Sequence, residues 1–236
     1  MIFQPPLVLD SNGGDAAKNF PIMLRIYSSN SDKAELYQLR YRAFRAAGWI
    51  VDNEHAALSD TYDLLPSTFA IGAFHNAQCI GSLRLAIGGA GAQGSMPCEE
   101  QFASEVAALM AAGNNRLVEF SRMAVEPSLT NKSFRTTLYA SLVRAGLILT
   151  CAADADVVLV AVHRNISLFY QKMCGFKVIA KSHGYGDISE PTHFLGRSLE
   201  ELDTRRRQSN SFFTFAPDEV ERARQTLNAA RHQAAA

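Results

Sequence analysis

VVLVAVHRNISLFYQKMCGF, residues 157–176, is the stretch of sequence that most clearly indicates the fold of this chain. Its first six residues are continuously apolar, which predicts a short strand buried at the centre of a sheet. A short helix is predicted over 167–173, followed by Gly175-Phe176 and a strand near 176–181. This succession of strand, helix and strand indicates an α/β domain.

Strand and helix patterns fill the rest of the chain and indicate a mixed sheet with helices on both faces. Strands are predicted over 22–28, 69–74, 79–87, 117–125 and near 192–199, and helices over 32–47, 99–112 and 134–152. Residues 88–97 contain four glycines and are interpreted as a flexible connection. The predicted organisation is an N-terminal arm over 1–20, one α/β domain over 21–202 and a C-terminal extension over 203–236, helical from about Pro217.

Composition excludes several classes of protein. The chain has 236 residues, with 23 basic and 23 acidic side chains, so its net charge is zero and a nucleic-acid partner is not expected. Asp154 and Asp156 interrupt the most apolar stretch, so no membrane insertion is expected. The four cysteines are widely spaced and the six histidines lack metal-ligand spacing, so we expect no metal and a cytoplasmic location. The sequence leaves the oligomeric state open.

The string NISLFYQKMCGF, residues 165–176, resembles a signature of the GCN5-related N-acyltransferases (GNAT). The resemblance implies a mostly antiparallel sheet that splays between its fourth and fifth strands, with a pantetheine arm in the gap. It implies that Asn165 contributes to binding that arm and that Tyr170 protonates the departing thiolate. The alternative is that Tyr170 and Phe176 are core aromatic residues of a helix–strand turn.

A second motif of that family corresponds to SLTNKSFRTT, residues 128–137, where a strand leads into a long helix. The unpaired N–H groups of a helix N-terminus bind anions, and the family places a phosphate-binding loop at this turn. The resemblance assigns Ser133, Phe134, Arg135 and Thr136 to it. The usual glycines are absent, so the single phosphate of a carrier protein's arm fits better than the pyrophosphate of CoA. Alternatively, Lys132 and Arg135 are solvated surface cations.

The first half of the chain narrows the family. LRYRAF (39–44), DTYD (60–63), GSLRL (81–85) and EFSR (119–122) occur in this order. The set resembles the acyl-homoserine-lactone synthases (LuxI type) and the long-chain N-acyl-amino-acid synthases (FeeM type), and the resemblance extends over about residues 22–200. Both groups take acyl chains from acyl carrier protein. LRYRAF and SMPCEEQF (95–102) are closer to the second group.

The resemblance assigns roles to residues of these motifs. Phe44 and Trp49 pack near the substrates, and the charged residues Arg40, Asp60, Asp63, Arg84 and Arg122 order a lid and the acceptor pocket. Arginine side chains are suited to bind the carboxylate of an amino acid. The alternative is a purely structural ion-pair cluster, since most buried charges must be paired.

Glu119 is the candidate general base, acting on the acceptor amine directly or through a water. In a regular strand, Glu119 and Arg122 point to opposite faces. They share a site only if a β-bulge intervenes near Ser121, and the resemblance to the GNAT fold implies a bulge in this strand. Such a bulge also frees backbone N–H groups around Met123 to Val125 to hold the arm and polarise the thioester carbonyl.

The sequence therefore predicts a GNAT-like acyltransferase with a C-terminal helical extension. The predicted reaction moves a medium or long acyl chain from the acyl-phosphopantetheine of acyl carrier protein to the α-amino group of an amino acid. No tightly bound cofactor is expected. The alternatives are acyl-homoserine-lactone synthesis from S-adenosylmethionine, acyl transfer from acetyl-CoA to a small amine, and a non-catalytic acyl-ligand sensor.

Overall fold

The structure is a computed structural model that describes residues 22–28, 32–90, 94–186, 188, 190–201 and 215–234. The predicted arm over 1–20 and residues 203–214 of the predicted extension lie outside the described residues. Side chains are described up to residue 229.

Seven strands form one sheet in the order β1-β2-β3-β4-β5-β7-β6. They are β1 (Met23–Tyr27), β2 (Thr68–His75), β3 (Gln78–Gly89), β4 (Arg116–Val125), β5 (Val157–His163), β6 (Lys177–Ser182) and β7 (Thr192–Ser198). Neighbouring strands are antiparallel except β4 and β5, which are parallel. The predicted mixed, mostly antiparallel sheet is thus confirmed.

Helices cover both faces of the sheet. They are α1 (Ala34–Ala46), α2 (Cys98–Gln101), α3 (Ala103–Ala111), α4 (Lys132–Ala152), α5 (Arg164–Phe169), which continues as a π-helical turn (Tyr170–Cys174), and α6 (Pro217–Ala234). The larger core lies between α4 and one face of the sheet, and α1 and α3 bury their apolar sides against the other face. No helix within the described residues is long and apolar enough to cross a membrane.

The C-terminal helix α6 is part of this layered packing. Its Ala223 and Leu227 are buried in the core that contains α4. Arg144 of α4 pairs with Glu219 at 3.0 Å. The predicted helical extension is therefore confirmed, and it acts as an outer layer over α4.

Three predicted elements need correction. The helix predicted over 99–112 is two helices, because Phe102 leaves the helical conformation (φ −127°) and its ring packs into the core. The connection predicted to begin at residue 88 begins later, because β3 pairs with β4 as far as Gly89. The short helix near Tyr170 begins at Arg164 and widens into the π-helical turn.

Two features of β4 shape the centre of the sheet. Its pairing with β5 ends at Phe120 and Val160, so the two strands separate beyond these residues and the sheet splays. A bulge against β3 lies between Ser121 and Ala124, and Arg122 adopts a left-handed conformation (φ +51°). The bulge predicted near Ser121 is confirmed.

Candidate active site

A cavity of about 370 Å³ occupies the gap between the separated ends of β4 and β5. Most of its wall is apolar, which is typical of sites that take small organic ligands. Its lining residues come from the end of α1, the bulged part of β4, the start of α4, β5, α5 and the β6–β7 turn. They include Phe44, Trp49, Phe120, Ser121, Arg122, Met123, Val125, Arg135, Tyr139, Val160, His163, Ile166, Tyr170, Tyr185 and Ile188.

Aromatic rings form one side of this cavity. Phe44 and Trp49 meet edge to face with their centroids 5.3 Å apart. Trp49 also stacks on His163, at the end of β5, with a centroid separation of 5.4 Å. Two residues predicted to lie near the substrates, Phe44 and Trp49, are therefore together in the cavity wall.

The predicted charged residues form a continuous buried ion-pair network beside the cavity. Arg40 contacts Asp63 at 2.9 Å, and both side chains are nearly inaccessible to water. Arg84 contacts Asp60 at 2.5 Å and Asp63 at 3.4 Å. Arg122 contacts Asp60 at 2.8 Å, which connects the cavity wall to the network.

Local backbone chemistry explains why the two aspartates converge. The DTYD motif folds into a 3₁₀ turn over Thr61–Leu64. The side chain of Asp60 accepts a hydrogen bond from the backbone N–H of Tyr62, and Asp63 accepts one from the N–H of Asp60. This reciprocal capping satisfies the free donors of the turn and aims both carboxylates at the sheet.

The network fixes the loop after α1 to the sheet. Arg84 lies directly opposite Ser121 on β4 and donates from Nε to its hydroxyl at 3.0 Å. Burial opposes ionisation of Asp60, but Arg84 and Arg122 outweigh it and hold its pKa below the usual range. Of the three arginines, Arg122 lines the cavity, whereas Arg40 and Arg84 lie behind its wall. The geometry thus suits Arg40 and Arg84 to ordering the loop, and Arg122 to contacting a substrate.

Glu119 lies in the same buried region, on the face of β4 that carries Ser121. Its side chain is 0% exposed. One carboxylate oxygen accepts from the backbone N–H of Cys98 at 2.8 Å, and the other accepts from the hydroxyl of Tyr185. Burial raises the pKa of Glu119, which makes the carboxylate a better proton acceptor than an exposed one.

Tyr185 is a site residue that the sequence interpretation missed. It lies in the β6–β7 turn, lines the cavity and donates to Glu119, 66 positions away along the chain. Its local signal is weak, since an aromatic residue between Gly184 and Gly186 indicates a turn and nothing more.

Tyr170 lies on the far side of the gap, where α5 widens into the π-helical turn. It is fully buried yet borders the cavity, and its hydroxyl contacts the sulfur of Met123 at 3.8 Å. Burial raises the pKa of Tyr170 well above its usual value, so the phenol stays protonated at neutral pH. Its position beside the cavity suits an acid, and its packing against Phe176 is that of a core residue.

The predicted phosphate loop is only partly directed at the cavity. Arg135 lines it and donates to the carbonyl oxygen of Leu129 at 3.1 Å. Phe134 is buried in the core, and its N–H is capped by Asn131. Three other residues predicted to bind the arm are exposed and lie outside the cavity wall: Ser133, Thr136 and Asn165. The hydroxyl of Thr136 donates to the carbonyl oxygen of Lys132.

No group of histidine, cysteine and carboxylate side chains suited to a metal ion occurs within the described ranges. Cys98 lies beside Glu119, and burial together with that carboxylate raises the pKa of its thiol. A thiol held protonated is a poor nucleophile.

Comparison with known proteins points to one family. The model of the family described as FeeM, N-acyl amino acid synthase FeeM, matches residues 35–197. No curated protein matches the chain.

Solved structures share this fold. FeeM, an N-acyl amino acid synthase from uncultured soil microbes, is 22% identical with a TM-score of 0.64, covering 81% of this chain and 96% of that one. The acyl-homoserine-lactone synthase LasI is 18% identical with a TM-score of 0.55, covering 75% and 90%. BjaI, a CoA-dependent acyl-homoserine-lactone synthase solved with SAM and isopentyl-CoA, is 15% identical with a TM-score of 0.53, covering 86% and 99%. These similarities establish a GNAT-like fold.

Proposed function

Because the chain belongs to the FeeM family of N-acyl amino acid synthases and is therefore an acyltransferase, we propose that it acylates the α-amino group of an amino acid. The donor is a medium or long acyl chain carried as a thioester by acyl carrier protein, and the product is an N-acyl amino acid. The observation that carries the proposal is the apolar cavity in the β4–β5 gap, with the buried carboxyl of Glu119 immediately behind its wall.

The apolar wall of the cavity supports an acyl chain as one substrate. Its wall is formed mainly by alkyl and aromatic side chains, such as Phe120, Val160 and Ile166. Burying an alkyl chain against such a wall stabilises the complex by about 0.8 kcal/mol for each methylene removed from water. An acyl chain gains this contribution at every methylene, whereas an acetyl group gains little.

The segment of the cavity wall at the start of α4 supports a carrier protein over CoA as the donor. Asn131 already caps the N-terminus of α4, and the loop before it has no glycine to let a pyrophosphate approach the backbone closely. Arg135 is the cation that this segment contributes to the cavity wall. One guanidinium matches the single phosphate of a phosphopantetheine arm.

The proposed chemistry is direct transfer. The acceptor enters as an ammonium ion and loses a proton toward Glu119, and the free amine attacks the thioester carbonyl. The N–C bond forms, the C–S bond breaks, and the departing thiolate takes the phenolic proton of Tyr170. The second proton that the acceptor nitrogen loses replaces the one given up by Tyr170, so the products are a neutral amide and a free thiol. Backbone N–H groups of the bulge at Met123 to Val125 face the developing oxyanion. Arg122 binds the carboxylate of the acceptor from the wall of the cavity.

The four cysteines are all free thiols. Reduced thiols, and a donor made inside the cell, support a cytoplasmic site of action.

The test is a reconstitution with the purified full chain. Acyl carrier proteins loaded with chains of graded length, or the matching acyl-CoAs, are mixed with the standard amino acids and S-adenosylmethionine, and the products are identified by mass spectrometry. We expect N-acyl amino acids from the carrier-protein donors. Glu119→Gln is expected to lower the rate by about 10²-fold or more. Glu105→Gln, which alters a half-buried carboxylate on α3 outside the cavity wall, should leave the rate unchanged.

Other products would contradict the proposal in distinct ways. Acyl-homoserine lactones together with methylthioadenosine would identify a lactone synthase. Products from acetyl-CoA alone would indicate an ordinary acetyltransferase. Tight binding of acyl donors with no product from any acceptor would indicate a ligand sensor.

A further inference from the structure

We infer that Tyr185 relays the proton of the acceptor amine to Glu119, so that the base acts through a tyrosine and not by direct contact with substrate. The inference rests on the proposed function and adds a catalytic residue to it. The enclosed position of Glu119 conflicts with direct removal of a proton from a substrate in the cavity.

Glu119 is too enclosed to meet a substrate. Its side chain is 0% exposed, and it is not part of the cavity wall. One carboxylate oxygen is held by the backbone N–H of Cys98, which is also buried. The other oxygen accepts from Tyr185, so both lie behind other groups.

Tyr185 connects this carboxylate with the cavity. Among the hydrogen-bond partners described for Glu119, the phenol of Tyr185 is the group that also lines the cavity. It is partly exposed, whereas Glu119 is sealed. A proton that leaves an amine in the cavity therefore has a continuous hydrogen-bonded path through the Tyr185 hydroxyl.

The position of Tyr185 is fixed from two sides. Its ring stacks on Phe102 at a centroid distance of 6.2 Å, and Phe102 stacks on Phe194 at 4.4 Å. Its backbone exchanges hydrogen bonds with Ile188, at 2.8 and 3.1 Å, which closes the turn. Because the phenol is already held in position, it loses little conformational entropy when it aligns with the acceptor nitrogen and Glu119.

The step balances without an external reagent. One proton of the acceptor ammonium moves to the phenolic oxygen of Tyr185 while the phenolic proton moves to the carboxylate of Glu119. The nitrogen lone pair released in this way forms the N–C bond. Tyr185 ends as the neutral phenol and Glu119 as the neutral acid. The two transfers are concerted, because burial and the neighbouring Glu119 raise the pKa of Tyr185 and disfavour a free tyrosinate.

The test compares four forms of the full chain in the reconstituted assay: wild type, Tyr185→Phe, Glu119→Gln and the double variant. Phenylalanine keeps the ring that stacks on Phe102 and removes only the hydroxyl. We expect each single variant to lower kcat by about 10²-fold or more, with the donor KM within about two-fold. If Tyr185 and Glu119 belong to one proton-transfer path, changing either residue removes that path. The double variant should then be no slower than either single variant.

A pH profile separates a relay from a structural role. Loss of the Tyr185 hydrogen bond also raises the pKa of Glu119, which shifts the rising limb of the profile to higher pH. If Tyr185 only tunes Glu119, the variant regains the wild-type plateau at high pH. A relay predicts a plateau that stays about 10²-fold low. Fluorotyrosine at position 185 keeps an O–H and should retain most of the activity, which covers the case in which Tyr185→Phe folds poorly.

Tyr27→Phe is the matched control, because Tyr27 also donates to a glutamate, Glu35, at 2.9 Å but lies away from the cavity. It should keep wild-type kcat. A Tyr185→Phe variant with near wild-type kcat, a recovered plateau, or losses that multiply in the double variant would overturn the relay while leaving the proposed function intact. A wild type that makes no N-acyl amino acid would refute the proposed function, and the relay with it.

Discussion

Replacing Asp63 by Asn removes one charge from the buried ion-pair network and leaves the shape of the side chain nearly unchanged. In the structure, Arg40 is 0% exposed, and Asp63 is the carboxylate that contacts it. Without that charge, Arg40 keeps a hydrogen bond to the hydroxyl of Ser82, a neutral partner. An uncompensated buried charge costs about 3–5 kcal/mol. Asp63→Asn should therefore lower the free energy of unfolding by about that amount, a large fraction of the 5–15 kcal/mol typical of a domain.

A double-mutant cycle with Arg40→Met tests the cause of this loss. Arg40→Met removes the charge that Asp63 balances, while Asp63 keeps its contact with Arg84. Asp63→Asn should then cost much less in the Arg40→Met background, with a coupling energy of about 1–3 kcal/mol. Urea unfolding with equal m values for all four forms gives the energies. An effect of Asp63→Asn below about 1 kcal/mol, or additive losses in the cycle, would refute the reasoning.

Three further outcomes are expected. Burial lowers the pKa of Lys33 to about 8, so the unfolded chain holds this proton over a pH range in which the folded chain has lost it. The free energy of unfolding of wild type relative to Lys33→Met should therefore rise by about 2 kcal/mol between pH 7 and pH 9.5, measured by urea unfolding. Ala43→Phe, in the cavity wall, should shift the products in mass spectrometry toward shorter acyl chains, by about ten-fold or more per excluded methylene. Leu227→Ala, on the buried face of α6, should lower the free energy of unfolding by about 2–5 kcal/mol and leave the acyl-chain-length preference unchanged.

Most of the sheet follows from local sequence patterns. The strand predicted over 117–125 is observed as Arg116–Val125, and that over 157–162 as Val157–His163. The valine-rich apolar run of the second of these strands favours a strand from local sequence alone. The break at Phe102 was not predictable in the same way. The adjacent residues Gln101 and Ala103 favour a helix, whereas the ring of Phe102 stacks on Phe194 of a distant strand.

In the candidate site too, some features follow from local sequence and others depend on contacts between distant parts of the chain. The two carboxylates of the DTYD motif are identified from its resemblance to the family's pattern, and the structure shows that the turn forms from its own capping hydrogen bonds. Side-chain alternation shows that Glu119 and Arg122 share a site only if a bulge intervenes, and the resemblance to the GNAT fold predicts that bulge near Ser121. Tyr185 was missed because its contact with Glu119 depends on how the β6–β7 turn folds over the sheet. Resemblance to a motif also does not show which member of a loop faces the cavity, as Arg135 and Phe134 illustrate.

The strained backbone of Arg122 explains how the gap and the network coexist. A left-handed conformation at a residue with a long side chain costs about 1–2 kcal/mol. Without it, Arg122 would lie on the face of the sheet that carries Phe120, away from Asp60. With it, the side chain reaches Asp60 at 2.8 Å and still borders the cavity. The ion pair thus holds a conformation that the strand would otherwise relax, and the relaxed strand would lose both the cavity wall and the charge beside it. Backbone strain that the surrounding contacts hold in place is the pattern expected where it is retained for function.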